Sequence, residues 1–135
     1  MSDLLEKAQN IATQAHQGQL KKTGGLVLEH VARVAASVSG REKKTVAWLH
    51  DVVEKAPEWT LARLRKEGFP EAILLAVDAL TKKPGESHED LVRRAAENDL
   101  ARSVKRADLT DNLVEAERTG HDPEKYRAGL RILDC

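Results

Sequence analysis

Residues 46–61 read VAWLHDVVEKAPEWTL, and the fold turns on them. At 100° per residue the spacing predicts a helix over 42–56, with Val46, Leu49, Val52, Val53 and Ala56 on one side. His50, Asp51 and Glu54 fill the arc opposite, with the small Ala47 inside it. An imidazole and two carboxylates thus converge around a position without bulk, an arrangement able to hold a cation. Pro57 ends the segment, because proline cannot continue a helix interior.

Outward from this stretch the same period repeats. Toward the N-terminus, Ser2 is the expected cap of a helix that buries Leu4, Ala8, Ile11 and Ala15 and stops before Gly18. Residues 19–25 read as a polar, flexible loop, and Val27, Val31, Val34 and Val38 then mark one face of a second helix. Toward the C-terminus, Thr60 caps a short helix and Pro70 opens one carrying Ile73, Leu74, Val77 and Leu80. Residues 81–86, with Pro84-Gly85, form a loop, and Ser87 caps the next helix. A long helix over 100–118 ends at Gly120, and Asp122-Pro123 starts the last, with Tyr126, Leu130 and Leu133 packing inward. Aromatic residues make up only 3% of the chain, which disfavours strands built on aromatic and β-branched alternation. The expectation is an all-α bundle of about seven or eight helices, one domain over residues 1–135.

Composition narrows the function. The 22 basic and 22 acidic residues cancel, so no global field draws the chain to a nucleic acid polymer or an anionic membrane. Cys135 is the single cysteine, which excludes an intrachain disulfide and a thiolate zinc site. No apolar run approaches the ~20 residues that span a bilayer, and the N-terminus has no signal-peptide core. The expected location is the cytoplasm. Oligomeric state is left open by these features.

Further chemistry-bearing residues lie on other helices. Lys105, Asp108, Asn112 and Glu115 share a stripe of the long helix, with Asp111 at its edge. His30 sits beside the valine stripe of the second helix, and His16 at a similar border of the first. Taken singly, each has a plain structural reading as a solvated face or a satisfied border histidine. Their order along the chain is more specific: His30, then His50-Asp51 with Glu54 one turn on, then Asp108 with Asn112 one turn on.

That order resembles the HD phosphohydrolase superfamily, whose signature is a His, a His-Asp pair and a later Asp on separate helices. The surrounding text, AHQGQLKKTGG at 15–25, LAVDALTKKPGES at 75–87 and VKRADLTDNL at 104–113, resembles the hydrolase domain of small stand-alone RelA/SpoT-type proteins. The resemblance implies an all-α HD domain binding one divalent metal through His30, His50, Asp51 and Asp108. Mn²⁺ is the metal it favours, and two imidazoles with two carboxylates also suit Fe²⁺ or Mg²⁺. It implies Glu54 as the residue that orients or activates the attacking water, and Lys21, Lys22 and Asn112 as contacts to a nucleotide substrate. Lys105 and Lys55 are further cations for phosphate.

The implied activity is metal-dependent hydrolysis of a phosphorylated nucleotide, with (p)ppGpp 3′-pyrophosphohydrolysis as the best guess. Three departures stand against the family pattern. Lys55 replaces the second member of an acidic pair, Val27-Leu28 and Val31 replace a Tyr-Ile pair and a Pro, and Val114-Glu115 replace an Arg-Thr turn. They keep two alternatives open: another nucleotidase or NADPH phosphatase, and a non-catalytic module that binds metal and nucleotide.

Overall fold

The computed structural model describes residues 3–134, so the cap expected at Ser2 lies outside the described residues. Asp3 is the observed cap, its Oδ1 accepting the Leu5 N–H at 2.9 Å. It opens α1 (Leu4–Ala15), which is followed by α2 (Val27–Ser37) and α3 (Arg41–Leu49). Then come α4 (Val52–Lys55), α5 (Leu61–Lys66) and α6 (Glu71–Ala79). The last three are α7 (His88–Ala96), α8 (Asp99–Thr119) and α9 (Glu124–Leu133). Helices are the only regular elements among the described residues, apart from an isolated bridge between Leu20 and Leu26.

The helix expected over 42–56 is broken at His50 and Asp51. The cause is local. The Ala47 carbonyl, which would receive the amide of residue 51 in a continuous helix, instead receives His50 twice, from its backbone N–H at 3.4 Å and from ring Nδ1 at 2.6 Å. The chain restarts as α4 one residue after Asp51.

The valines of α2 and Val46 and Leu49 of α3 bury together with Ala8 and Ile11 of α1 and Val104 of α8. α8 is the spine: at 21 residues it runs about 32 Å and packs on α2, α3 and α6. A second, smaller cluster joins Val92, Leu109 and Leu133, with Tyr126 and Leu130 against it, and so binds α7 and α9 to the far half of α8. Gly120, at φ 78°, supplies the left-handed turn that ends α8 and lets the chain double back into α9.

Two loops are more ordered than their composition suggests. Residues 19–27 close on themselves through Lys21 N–H to the Gly25 carbonyl at 2.8 Å and Val27 N–H to the Gln19 carbonyl at 3.0 Å. The 81–86 loop is gathered by the Arg94 guanidinium, which donates to the Asp78 and Thr81 carbonyls at 2.8 and 2.7 Å and pairs with Glu86. Among the described residues no helix is long and apolar enough to cross a membrane.

Candidate metal centre and cleft

The break in the third helix is where the site begins. It turns His50 and Asp51 toward α2 and α8, so that side chains from three parts of the chain meet. His50 Nε2 lies 3.4 Å from Asp51 Oδ2 and 3.4 Å from Asp108 Oδ1. His30 Nε2 lies 2.8 Å from the same Asp108 oxygen. The two rings stand 5.7 Å apart, nearly edge to face. His30 and His50 are each 2% exposed and Asp108 is 6% exposed, so this cluster sits inside the fold.

The Ala47 carbonyl fixes the His50 tautomer, while His30 has a carboxylate on each ring nitrogen, Asp111 Oδ2 at 2.6 Å from Nδ1 and Asp108 Oδ1 at 2.8 Å from Nε2. With Nδ1 of each neutral ring donating, to the Ala47 carbonyl from His50 and to Asp111 from His30, both Nε2 atoms present lone pairs to the oxygens of Asp51 and Asp108. Four lone-pair donors aimed at one point repel unless a positive charge sits among them. His50 Nε2 is buried and has no hydrogen-bond partner, as an atom reserved for a metal would be. One donor atom each from His30, His50 and Asp51 also lies within 4.8 Å of the others. The set fits a divalent cation that accepts mixed nitrogen and oxygen donors.

In the metal-free protein protons meet the same demand. Burial opposes the His50 imidazolium, but Asp51 and Asp108 outweigh it and raise the pKa to about 9. Burial likewise opposes the charge on His30, and hydrogen bonds to Asp108 and Asp111 leave its pKa raised. Asp108 is driven well below the usual carboxylate range: burial pushes it up, and Lys105, His30 and His50 together pull it further down.

The neighbours hold the centre in shape. Lys105 Nζ donates to Asp108 Oδ2 at 3.0 Å and Asn112 Nδ2 donates to Oδ1 at 3.2 Å. Lys105 is only 7% exposed, so its ammonium is committed to Asp108. Sequence reasoning left Asp111 at the edge of a stripe, yet it is the carboxylate that orients His30, held in turn by Arg33 Nε at 2.8 Å. The available signal was its position three residues after Asp108, which puts both carboxylates on the side of α8 that meets α2.

A cavity of about 340 Å³ opens over the centre. Six lysines line it: Lys21, Lys22, Lys55, Lys82, Lys105 and Lys125. A chain of zero net charge has thus concentrated cations at one cleft. Of the residues singled out from sequence, Glu54 stands at the rim, its Oε1 accepting the Lys82 N–H at 3.0 Å. Lys55 is exposed on the wall, and its carbonyl is held by Gln19 Nε2 at 2.9 Å. Lys22 and Asn112 also line the cleft. Lys21 does too, its ammonium donating to Asn112 Oδ1 at 2.5 Å and Glu115 Oε2 at 2.7 Å. His16 does not join the cleft: it is buried, with Nδ1 against Gln19 Oε1 at 2.8 Å. Lys82, Lys125 and Tyr126 of the lining were missed as site residues from sequence, because loop closure and the return of α9 bring them there.

An all-α bundle thus closes around His30, His50, Asp51 and Asp108, and its fold is one shared with a solved structure. Among solved structures the chain is similar to a metazoan ortholog of SpoT described as hydrolysing ppGpp. The two match with a TM-score of 0.73 at 21% identity, over 99% of this chain and 83% of that one. No protein-family model matches the chain, and no curated protein matches it.

Proposed function

We propose that the chain is a divalent-metal-dependent phosphohydrolase acting on a phosphorylated nucleotide, with removal of the 3′-pyrophosphate of (p)ppGpp as its reaction. The observation that carries this reading is the buried, unpartnered His50 Nε2 facing two carboxylates at the floor of a lysine-lined cleft. His30, His50, Asp51 and Asp108 would hold the cation, Mn²⁺ by preference. Such a cation supplies Lewis-acid polarisation of a phosphoryl oxygen and a water acidic enough to attack near neutral pH.

The chain's own residues supply the rest. Lys105 and Asn112 fix the Asp108 carboxylate, and Asp111 fixes the His30 ring. Glu54, with one oxygen held by the Lys82 amide, has the other available to take the proton of the attacking water. Lys22, Lys55, Lys82 and Lys125 attract the phosphates, and the 340 Å³ of space suits a nucleotide rather than a polymer. The products are GDP or GTP and pyrophosphate. We assign the activity to residues 1–135 acting as one domain in the cytoplasm.

Lys55 favours a second reading, a metal- and nucleotide-binding module of low turnover, because an exposed lysine stands beside Glu54 where the resembling family has a second acid. The test is an assay of the purified chain with Mn²⁺ against (p)ppGpp, NADPH, nucleoside monophosphates and a generic phosphate ester. Preferred release of pyrophosphate from (p)ppGpp, abolished by EDTA and by His50→Ala or Asp51→Ala, is the expected result. Turnover of NADPH or a monophosphate in preference redirects the substrate, tight binding without turnover favours the module, and activity indifferent to EDTA overturns the proposal.

A further inference from the structure

One run of charged contacts joins the cleft wall to the cation centre. Glu115, 5% exposed, receives Lys21 Nζ at 2.7 Å and Arg33 Nη2 at 3.1 Å on one oxygen, and Thr23 Oγ1 at 3.0 Å on the other. It also lies against the loop backbone, since a Cβ on Gly25 would come within 3.0 Å of its Oε1. The same Arg33 Nη2 reaches Asp111 Oδ2 at 3.1 Å, while Nε holds Oδ1 at 2.8 Å. Asp111 Oδ2 in turn receives His30 Nδ1 at 2.6 Å. A single guanidinium is therefore divided between two carboxylates, one serving a cleft lysine and the other a histidine of the cation cluster.

We propose that the path Lys21–Glu115–Arg33–Asp111–His30 couples the cleft wall to the cation centre, so that a phosphate engaging the Lys21 ammonium tightens cation binding at His30. The proposal rests on the metal and phosphate reading above. When Lys21 turns to a phosphate, Glu115 loses a donor and draws Arg33 toward itself. Asp111 is then less neutralised and accepts more strongly from His30 Nδ1–H, which makes Nε2 a richer donor to the cation. By linkage the cation raises affinity for the phosphate by the same factor. Lys21 thus acts by leaving Glu115, and with it Asn112 Oδ1, while Glu115 and Arg33 act as positioning residues through Asp111.

The path predicts effects of opposite sign. Mn²⁺ affinity is measured by calorimetry on the metal-stripped full chain, with unfolding curves checking each variant. Lys21→Met, which mimics the departed ammonium, is expected to tighten Mn²⁺ about threefold, and Glu115→Gln to weaken it about threefold, below the 10–100-fold typical of a direct partner of a ligand. In an Arg33→Gln background, neither Glu115→Gln nor Lys21→Met has a further effect, because the connection is already cut. An effect of Lys21→Met that persists there runs through Asn112 and Asp108 and overturns the proposal. The Nδ1 proton of His30, followed by NMR in metal-free protein, shifts downfield in Lys21→Met and upfield in Glu115→Gln. Arg33→Lys, with one donor group for two carboxylates, restores only part of the response. Weakening in both single variants points to simple loss of packing and overturns the proposal. So does an effect of Glu115→Gln that persists without Arg33, or a His30 proton that neither variant moves. Failure of the underlying reading looks different: the unaltered chain then takes up no Mn²⁺ at all, and both fall.

Discussion

Raising the pH of the metal-free protein from 6.5 to 9 is expected to destabilise it, against the common trend of flat stability across neutral pH. His50 carries the effect. Its pKa is held at about 9 in the fold against 6.5 in the unfolded chain, so the folded state binds the proton more tightly. The stabilisation is fully present below pH 6.5 and is lost as pH climbs through about 9. The interval of about 2.5 units corresponds to about 3 kcal/mol at 1.36 kcal/mol per unit. His30 is raised as well and adds in the same direction. His16 and His88 are both lowered, chiefly by burial, so their own losses fall below pH 6.5 and outside the window. Urea unfolding of EDTA-stripped protein reads the change directly: at a slope of about 2 kcal/mol per M, the midpoint falls by roughly 1.5 M across the window. Saturating Mn²⁺ reverses the trend, because the cation needs the same nitrogens unprotonated and binds better as pH rises. A midpoint that holds steady or increases between pH 6.5 and 9 without metal would refute the claim that a protonated His50 is held between the carboxylates of Asp51 and Asp108.

Three other substitutions probe the surroundings. Lys105→Met leaves Asp108 Oδ2 buried without its cation, and a loss of about 3 kcal/mol in unfolding free energy is expected; unchanged stability would show that the ion pair is not formed. Lys55→Asp separates the two readings of the cleft by steady-state kinetics: the low-turnover module predicts a severalfold rise in pyrophosphate release with little change in Mn²⁺ affinity, and the phosphate-attracting role predicts a fall. A fall in rate would mean that Lys55 serves substrate. Gly129→Ala puts a Cβ 2.9 Å from Leu109 Cδ1 and 3.3 Å from His88 Nε2, so the fully buried Leu109 side chain must shift within the core. The overpacking is expected to cost about 1–3 kcal/mol in thermal or urea unfolding, and a neutral result would show that the Leu109 methyls yield without strain.

Local rules made the helices and their ends legible. The valine period of α2, the Thr60 cap and the Gly120 stop are statements about a few adjacent residues, and the structure keeps them: Thr60 Oγ1 accepts the Arg63 N–H at 3.1 Å. The convergence of His30, His50, Asp51 and Asp108 was legible only as a resemblance, since no periodicity says that residues 30, 50 and 108 meet. The helical wheel misjudged one thing for a physical reason. It assumes an unbroken ladder, and His50 breaks that ladder by taking the Ala47 carbonyl with its own ring. Contacts across great sequence distance were out of reach. Lys21 meets Glu115 94 residues away, and Arg33 meets Asp111 78 residues away, so the pairing that ties the 19–27 loop to α8 appears only once α2 lies against α8.

Cation stoichiometry tests the centre most directly. The chain is stripped with EDTA, titrated with Mn²⁺ by calorimetry and assayed for bound metal after dialysis. One equivalent per chain is expected, lost in His50→Ala and Asp51→Ala variants that still fold. Protein that takes up no Mn²⁺, or takes it up equally well without His50 and Asp51, would contradict the account.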